Sequence, residues 1–296
     1  GKQAASLGEA FAWGKQLNST WVESHLPKHA IMATNVDDTR KQAVIYNGVL
    51  ENEEVRAEVK AAVGNMFSPS TLEVYAQCPF RFLGERIWKQ SEFVEKEELA
   101  APTDMGTLVH ECLAKFLGKH LQEKLPKYDF AVLWEDLKQE FQNLCDEYIA
   151  NGKLLQNELW GAEQKRLLNM LHKWLRYEYD MQGKWDFVPC AVEWAFNNKE
   201  GAPLRLKLED GQKFAIMGRV DRIDKNGDKV FVTDYKLGSV PAVDDLPNGV
   251  DLQLPIYLLA ANKLYGKEVA GGGYLSMKEG KRKNNVKLDA SQEFPF

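Results

Sequence analysis

The chain has 296 residues, 44% of them apolar and 27% charged, with 38 basic against 43 acidic side chains and a net charge of −5. That is a globular composition with room for roughly two ordinary domains, and it excludes a disordered, collagenous or fibrous chain. The acidic balance argues against coating nucleic acid by bulk charge, and the longest apolar run, Ile256–Ala261, spans six residues against about 20 for a membrane-spanning helix.

The opening GKQAASLGEAFAW has no initiator Met and no apolar stretch with a small-residue cleavage site. Gly1 reads as a tag scar, and the expectation is a cytoplasmic domain cut from a larger protein rather than a secreted one. Residues 1–66 read as mostly helical, with a break over Ala30–Val49 and a turn at Asn47-Gly48. At Ser68-Pro69-Ser70 a helix begins, serine as cap and proline in the first turn. Pro79 should then interrupt TLEVYAQCPFRFLGERIW.

A charged stretch, Glu92–Glu98, precedes MGTLVHECLAKFLGKHL, where Met105, Leu108, Val109, Cys112, Leu113, Phe116 and Leu117 keep helical spacing. Two more long helices follow over 128–182. After Gly183 the period becomes two, in Val192, Trp194 and Phe196, then Phe214 and Ile216, then Val230 and Val232. A helix over about Asp251–Tyr265 and a short strand near Tyr274–Met277 close the pattern, which is a mixed α/β core. Lys278–Lys287 carries five basic residues against one acid and reads as a solvated loop. Cys78, Cys112, Cys145 and Cys190 form no CxxC pair and read as reduced thiols in a cytosolic protein.

The segment FAIMGRVDRIDKNGDKVFVTDYKLG holds two alternating runs around Asn226-Gly227, the signal of a tight hairpin. With those two as loop residues, Asp221 faces Val232, and Asp234 lies diagonal on the same face, about 7–8 Å away. Lys236 points the same way, so two carboxylates and a lysine converge by the pleat alone. Two adjacent carboxylates repel unless a cation or hydrogen bonds compensate. Oxygen ligands suit a hard ion such as magnesium, which takes one or two protein carboxylates plus phosphate oxygens. The plainer alternative is an ion pair of Lys236 with one aspartate at the strand end.

The ordered motifs CPFRFL, GTLVH, GRVDRID, TDYKLG and QLPIY resemble the PD-(D/E)XK nucleases of the RecB and AddB type, over about two thirds of the chain from Ser68 to Met277. The resemblance implies a restriction-endonuclease-like α/β fold: a mixed β-sheet core flanked by helices. It divides the chain into a 1–66 segment and a 67–296 nuclease domain with a helical insertion at about 118–183. It makes His110 a metal ligand from the helical side, Asp221 and Asp234 the acidic ligands, the Tyr235 carbonyl a further ligand and Lys236 the catalytic lysine. Gln253 and Tyr257, four apart on one helical face, would support the site and contact DNA. Glu193, opposite in parity to Val192, Trp194 and Phe196, is an auxiliary acid or an ordinary exposed strand glutamate.

The implied chemistry is Mg2+- or Mn2+-dependent hydrolysis of DNA from its ends, in a module of a helicase–nuclease for DNA repair or recombination. Contacts would go mainly to the DNA backbone, from Lys278–Lys287, Arg219 or Arg222. AddB-type domains also carry an iron–sulfur cluster. Cys78 fits its first cysteine, but no cysteine follows Cys190, so a cluster would need residues beyond this chain. No Walker A motif occurs, which leaves ATP use to a helicase domain or partner. A nuclease fold that binds DNA or a partner without cutting, or one directed at RNA, stays open as the alternative.

Overall fold

In the computed structural model, residues 53–89, 102–154, 156–197, 199–207, 211, 213–242, 245 and 250–288 are described. The expected helical segment up to residue 52 with its turn at Asn47-Gly48, the charged stretch Glu92–Glu98 and the final SQEFPF lie outside them. The chain divides into two compact units, Gly1–Met66 with Ser70–Glu92, and Phe67–Pro69 with Phe93–Phe296.

In the smaller unit, α1 (Glu53–Val63) is followed by α2 (Pro69–Gln77) and a short α3 (Pro79–Phe82) running into a π-helical turn, Leu83–Ile87. Between α1 and α2 the chain passes through a two-residue strand, β1 (Met66–Phe67), whose Phe67 belongs to the larger unit. Pro79 ends α2 as its missing donor requires, and Cys78 restarts the helix by accepting the Arg81 amide on Sγ at 3.4 Å.

In the larger unit, α4 (Pro102–Gly118), α5 (Phe130–Ala150) and α6 (Trp160–Gln182) precede the strands. Leu108, Val109, Cys112, Leu113, Phe116 and Leu117 of α4 are buried at the spacing the sequence predicts. They pack with Leu133, Leu137 and Phe141 of α5 and Leu171, Trp174 and Leu175 of α6 into one core that takes in Tyr235, Leu275 and Met277 from the sheet. Asp129 caps α5 by accepting the Ala131 amide at 2.8 Å.

The main sheet is built from β2 (Val188–Phe196), β5 (Gly218–Asn226), β6 (Lys229–Lys236), β7 (Glu268–Ser276) and β8 (Lys281–Lys287), in the order β2-β5-β6-β7-β8. All its pairs are antiparallel except β6 with β7, the crossover carrying α7 (Gln253–Leu264). A smaller hairpin joins β3 (Leu204–Lys207) to β4 (Lys213–Ile216), and Phe67 of β1 extends it by accepting the Met217 amide at 2.8 Å.

Three differences from the sequence reading have physical causes. The β5–β6 loop is Gly227-Asp228, because Asn226 pairs with Lys229 and Gly227 takes the positive φ of 58°. The register moves by two residues, which preserves every side chain's face. Ile223, not Asp221, meets Val232, and the same register carried on beyond Arg222–Thr233 sets Asp221 across from Asp234.

Second, Lys278–Lys287 is largely strand β8, an edge strand whose lysines discourage further pairing. Third, β7 begins six residues before Tyr274, where Gly271–Gly273 give no pattern to read. At Gly272 a Cβ would stand 2.8 Å from Leu258 Cδ2 and 2.9 Å from the Val232 carbonyl oxygen. Glycine is what lets α7 settle on this strand.

Between α6 and the sheet lies a buried ionic network. Arg222 donates to Glu178 at 2.7 Å and to Asp224 at 2.8 Å, and Arg282 donates to Thr233 at 2.7 Å and faces Glu178 at 3.6 Å. Two arginines balance two carboxylates where an unpaired charge would be costly. Arg222 is fully buried, so it belongs to the core and not, as the sequence suggested, to a DNA-contacting surface.

Candidate active site

The site is built where β5 and β6 part. Asp221 points from β5 toward α4, and its Oδ1 lies 3.2 Å from His110 Nδ1. Its Oδ2 accepts the backbone N–H of Tyr235 at 2.7 Å. His110 stands beside the apolar stripe of α4 and meets the Tyr235 ring edge-on at 6.0 Å.

Glu193 completes the group from β2, with one donor atom each from His110, Glu193 and Asp221 within 4.8 Å of one another. In its register it sits across from Asp221, between the pairs Val192–Arg222 and Trp194–Val220. Its φ is +49°, a conformation that non-glycine residues seldom hold and that concentrates at functional sites. Burial and the Asp221 charge raise its pKa, against the pull of His110 and of Arg219, whose Nη1 lies 3.6 Å away.

A second string of side chains runs alongside. Lys236 Nζ donates to Gln253 Oε1 at 2.5 Å, and Gln253 Nε2 donates to Asp234 Oδ1 at 2.7 Å and to the Tyr257 hydroxyl at 3.1 Å. Asp234 is buried, and its Oδ2 ion-pairs with Lys236 at 2.9 Å without an aligned hydrogen bond. It stands outside the three-residue group, yet near enough that its charge acts on His110.

These neighbours set the protonation states. Burial, then the facing Asp221 charge, pushes Asp234 well above the ordinary carboxylate range, against the opposing pull of Lys236. Desolvation works against the charge on Lys236, but Asp234, Asp221 and Asp251 outweigh it and keep the ammonium protonated. At His110 burial is likewise overcome, by the hydrogen bond and charge of Asp221 with help from Asp234 and Glu193, and the pKa rises to about 9.

The sequence reading missed the supports behind this string. Asp251 is buried, accepts the Gln253 amide on Oδ1 at 3.2 Å and the Tyr274 hydroxyl on Oδ2 at 2.5 Å. Lys236 Nζ lies 5.3 Å from the centre of the Tyr274 ring. Asp251 two places before Gln253 is a helix-start signal that the motif overshadowed. Nothing local in the sequence ties Tyr274 to it.

A divalent cation fits this donor set. Magnesium binds ligands at about 2.0–2.1 Å in octahedral geometry, which puts neighbouring ligand atoms about 3–4 Å apart. The His110–Asp221 pair is at 3.2 Å, and the three donor atoms lie within 4.8 Å of one another, close to the spacing a bound cation would require. The four cysteines of this chain do not by themselves make the four-thiolate set of an iron–sulfur cluster: Cys112 and Cys145 are closed inside the helical core and the Cys190 thiol faces the Tyr265 hydroxyl at 3.3 Å, which leaves Cys78 alone as a candidate ligand.

A sequence profile of the PD-(D/E)XK nuclease superfamily matches residues 66–294. The chain is 32% identical over 220 residues to the B subunit of an ATP-dependent helicase/deoxyribonuclease from Carboxydothermus hydrogenoformans, a match covering 70% of this chain and 19% of that protein. The protein of the same name from Clostridioides difficile is 28% identical over 262 residues, 82% of this chain and 22% of the relative. The chain thus spans about a fifth of the length of these relatives. No helix among the described residues is long and apolar enough to cross a membrane. With motifs, sheet and profile in agreement over the same residues, the chain belongs to the PD-(D/E)XK nuclease superfamily.

Proposed function

We propose that residues 67–296 form a metal-dependent DNA exonuclease domain, the cytoplasmic nuclease module of a helicase–nuclease acting in DNA repair or recombination. The observation that carries this is the convergence of His110, Glu193 and Asp221 donor atoms within 4.8 Å, beside the Lys236–Gln253–Asp234 string. A fold kept only for binding has no need of such an acidic cluster, which costs folding energy when nothing balances it. The names of the relatives support DNA as substrate and a helicase as partner.

In this reading His110, Asp221, Asp234 and the Tyr235 carbonyl hold Mg2+ or Mn2+, with Glu193 as the auxiliary acid. The cation supplies Lewis-acid polarisation of the phosphate and lowers the pKa of water. Water attacks phosphorus in line as the bond to the leaving sugar oxygen breaks, hydroxyl going to phosphorus and the proton to the departing oxygen. Lys236, held charged by Asp234, donates to a phosphoryl oxygen as negative charge grows there. Gln253 aims that lysine through its side-chain oxygen, while its backbone N–H is held by Asp251. Tyr257 braces Gln253. Recognition through the backbone suits an enzyme indifferent to sequence.

Linear and covalently closed circular DNA, each incubated with magnesium, manganese or EDTA, test the reading. Metal-dependent loss of the linear molecule alone is expected. Nicking of the circle would overturn the exonuclease assignment, and survival of both substrates in every condition would overturn the hydrolase.

A further inference from the structure

A cleft of about 930 Å³ opens where β6 and β7 end, and it contains none of the metal-cluster residues. Leu237, next after Lys236, and Ser276, the ladder partner of Lys236, both line it. Ligand sites in α/β proteins favour the carboxyl ends of parallel strands. One wall is α6, which presents Arg166, Asn169 and Lys173, three side chains at helical spacing on one face. The opposite wall is the β7–β8 hairpin, with Lys278 in its turn and Lys283 on β8.

The two walls are in contact. At Gly280, where φ is +64°, an added Cβ would stand 3.1 Å from Lys173 Cβ. The cleft is therefore a set channel between a helix and a hairpin, at the large end of the range of ligand sites.

Its chemistry is that of an anion site. Among the described residues lining it, four cations stand against one acid, Glu279, in a chain whose net charge is −5. Glu279 is already engaged by Lys283 and by Lys281, and Arg166 is paired with Glu163. Among the described residues Lys173 and Lys278 are exposed and have no ion-pair partner. None of the described lining residues is aromatic, so they offer cations, an amide and hydroxyls to phosphates and no stacking surface to bases.

We propose that this cleft holds the sugar–phosphate backbone of a single nucleic-acid strand next to the phosphate being cut. The walls meet at Lys173 and Gly280, and about 930 Å³ is the volume of a small-ligand site, the scale of a few nucleotides of one strand. The inference rests on the reading of the metal cluster as a phosphodiesterase, and it adds where the strand runs on leaving that cluster.

Binding of a fluorescent oligothymidylate of about 12 nucleotides, followed by anisotropy in EDTA, tests it on the whole chain. The double variant Lys173→Glu/Lys278→Glu is expected to bind at least about tenfold more weakly, and each single Lys→Ala change to lower the salt slope of binding by about 0.7. Turnover of bis(4-nitrophenyl) phosphate with manganese, a diester too small to span both sites, reports the metal cluster separately. Unchanged oligonucleotide affinity in the double variant overturns the proposal, as does tighter binding of a blunt duplex than of the single strand by the wild type. If the wild type turns over no diester, the phosphodiesterase reading fails, while the EDTA comparison still decides the cleft.

Discussion

The carboxylate of Asp221 accepts the backbone N–H of Tyr235 at 2.7 Å, so a side chain continues the β5–β6 pairing just where the backbone ladder stops. That bond ties one carboxylate of the proposed cation site to the Asp234–Tyr235 peptide. The two halves of the site thereby keep one geometry. Asp221→Ala removes a proposed metal donor and leaves the Tyr235 amide unpaired, at a cost of about 1–3 kcal/mol. Asp221→Asn keeps an acceptor for that amide and loses the charge. In thermal unfolding, Mn2+ is expected to stabilise the wild type and to leave Asp221→Asn unmoved; equal stabilisation of both would remove Asp221 from the cation site.

His110 gives a pH dependence of definite sign. Its pKa is raised from 6.5 to about 9 by Asp221, against the effect of burial. In EDTA the ion pair therefore stabilises the fold fully below pH 6.5, and that contribution fades as the pH rises toward 9. A cation needs the neutral imidazole, so Mn2+ affinity should rise over the same window. The metal-free melting midpoint of His110→Gln, compared with wild type, should lack this decline. A wild-type midpoint that parallels the variant across the window would contradict the pairing.

Gln253 holds both Lys236 and Asp234 through its two amide atoms. Gln253→Glu keeps the acceptor for the lysine and turns the donor toward Asp234 into a second negative charge. Cleavage should fall at least about tenfold, with most of the loss in kcat, since the lysine's aim matters in the transition state. A change confined to KM would make Gln253 a substrate-binding residue only.

The buried network should respond as a charge balance. Arg222→Leu strands Glu178 and Asp224 together in the core and is expected to cost about 3–5 kcal/mol in denaturant unfolding. An unaltered midpoint would mean that the network carries no such balance.

Gly272→Ala places a methyl against Leu258 and the Val232 carbonyl and should cost about 1–3 kcal/mol. Because α7 carries Gln253 and Tyr257, the same change should reduce cleavage even where the protein stays folded. Wild-type stability together with wild-type rate would show that α7 shifts freely on β7.

The parts of the site legible in the sequence were those fixed by parity and local spacing. Asp221, Asp234 and Lys236 shared a face whichever of two loop positions the hairpin took, because the two registers differ by an even step. The turn itself was misread by one residue, since Asn226-Gly227 and Gly227-Asp228 both offer glycine where φ is positive. Gly271–Gly273 hid the start of β7, and the lysines of β8 looked like a loop. Arg222 looked like a surface base because its acceptor Glu178 lies 44 residues away on another element, which no local pattern encodes. Tyr274 stays out of view for the same reason, while Asp251 carries a local helix-start signal that the motif beside it overshadows.

The most direct measurement is the release of label from end-labelled linear DNA by the wild type and by Lys236→Ala, each with magnesium and with EDTA. Release by the wild type in magnesium alone, with none from the variant in either condition, is the predicted result. Equal release by the wild type and Lys236→Ala, or release that survives EDTA, would contradict a metal-dependent site built on Asp221, Asp234 and Lys236.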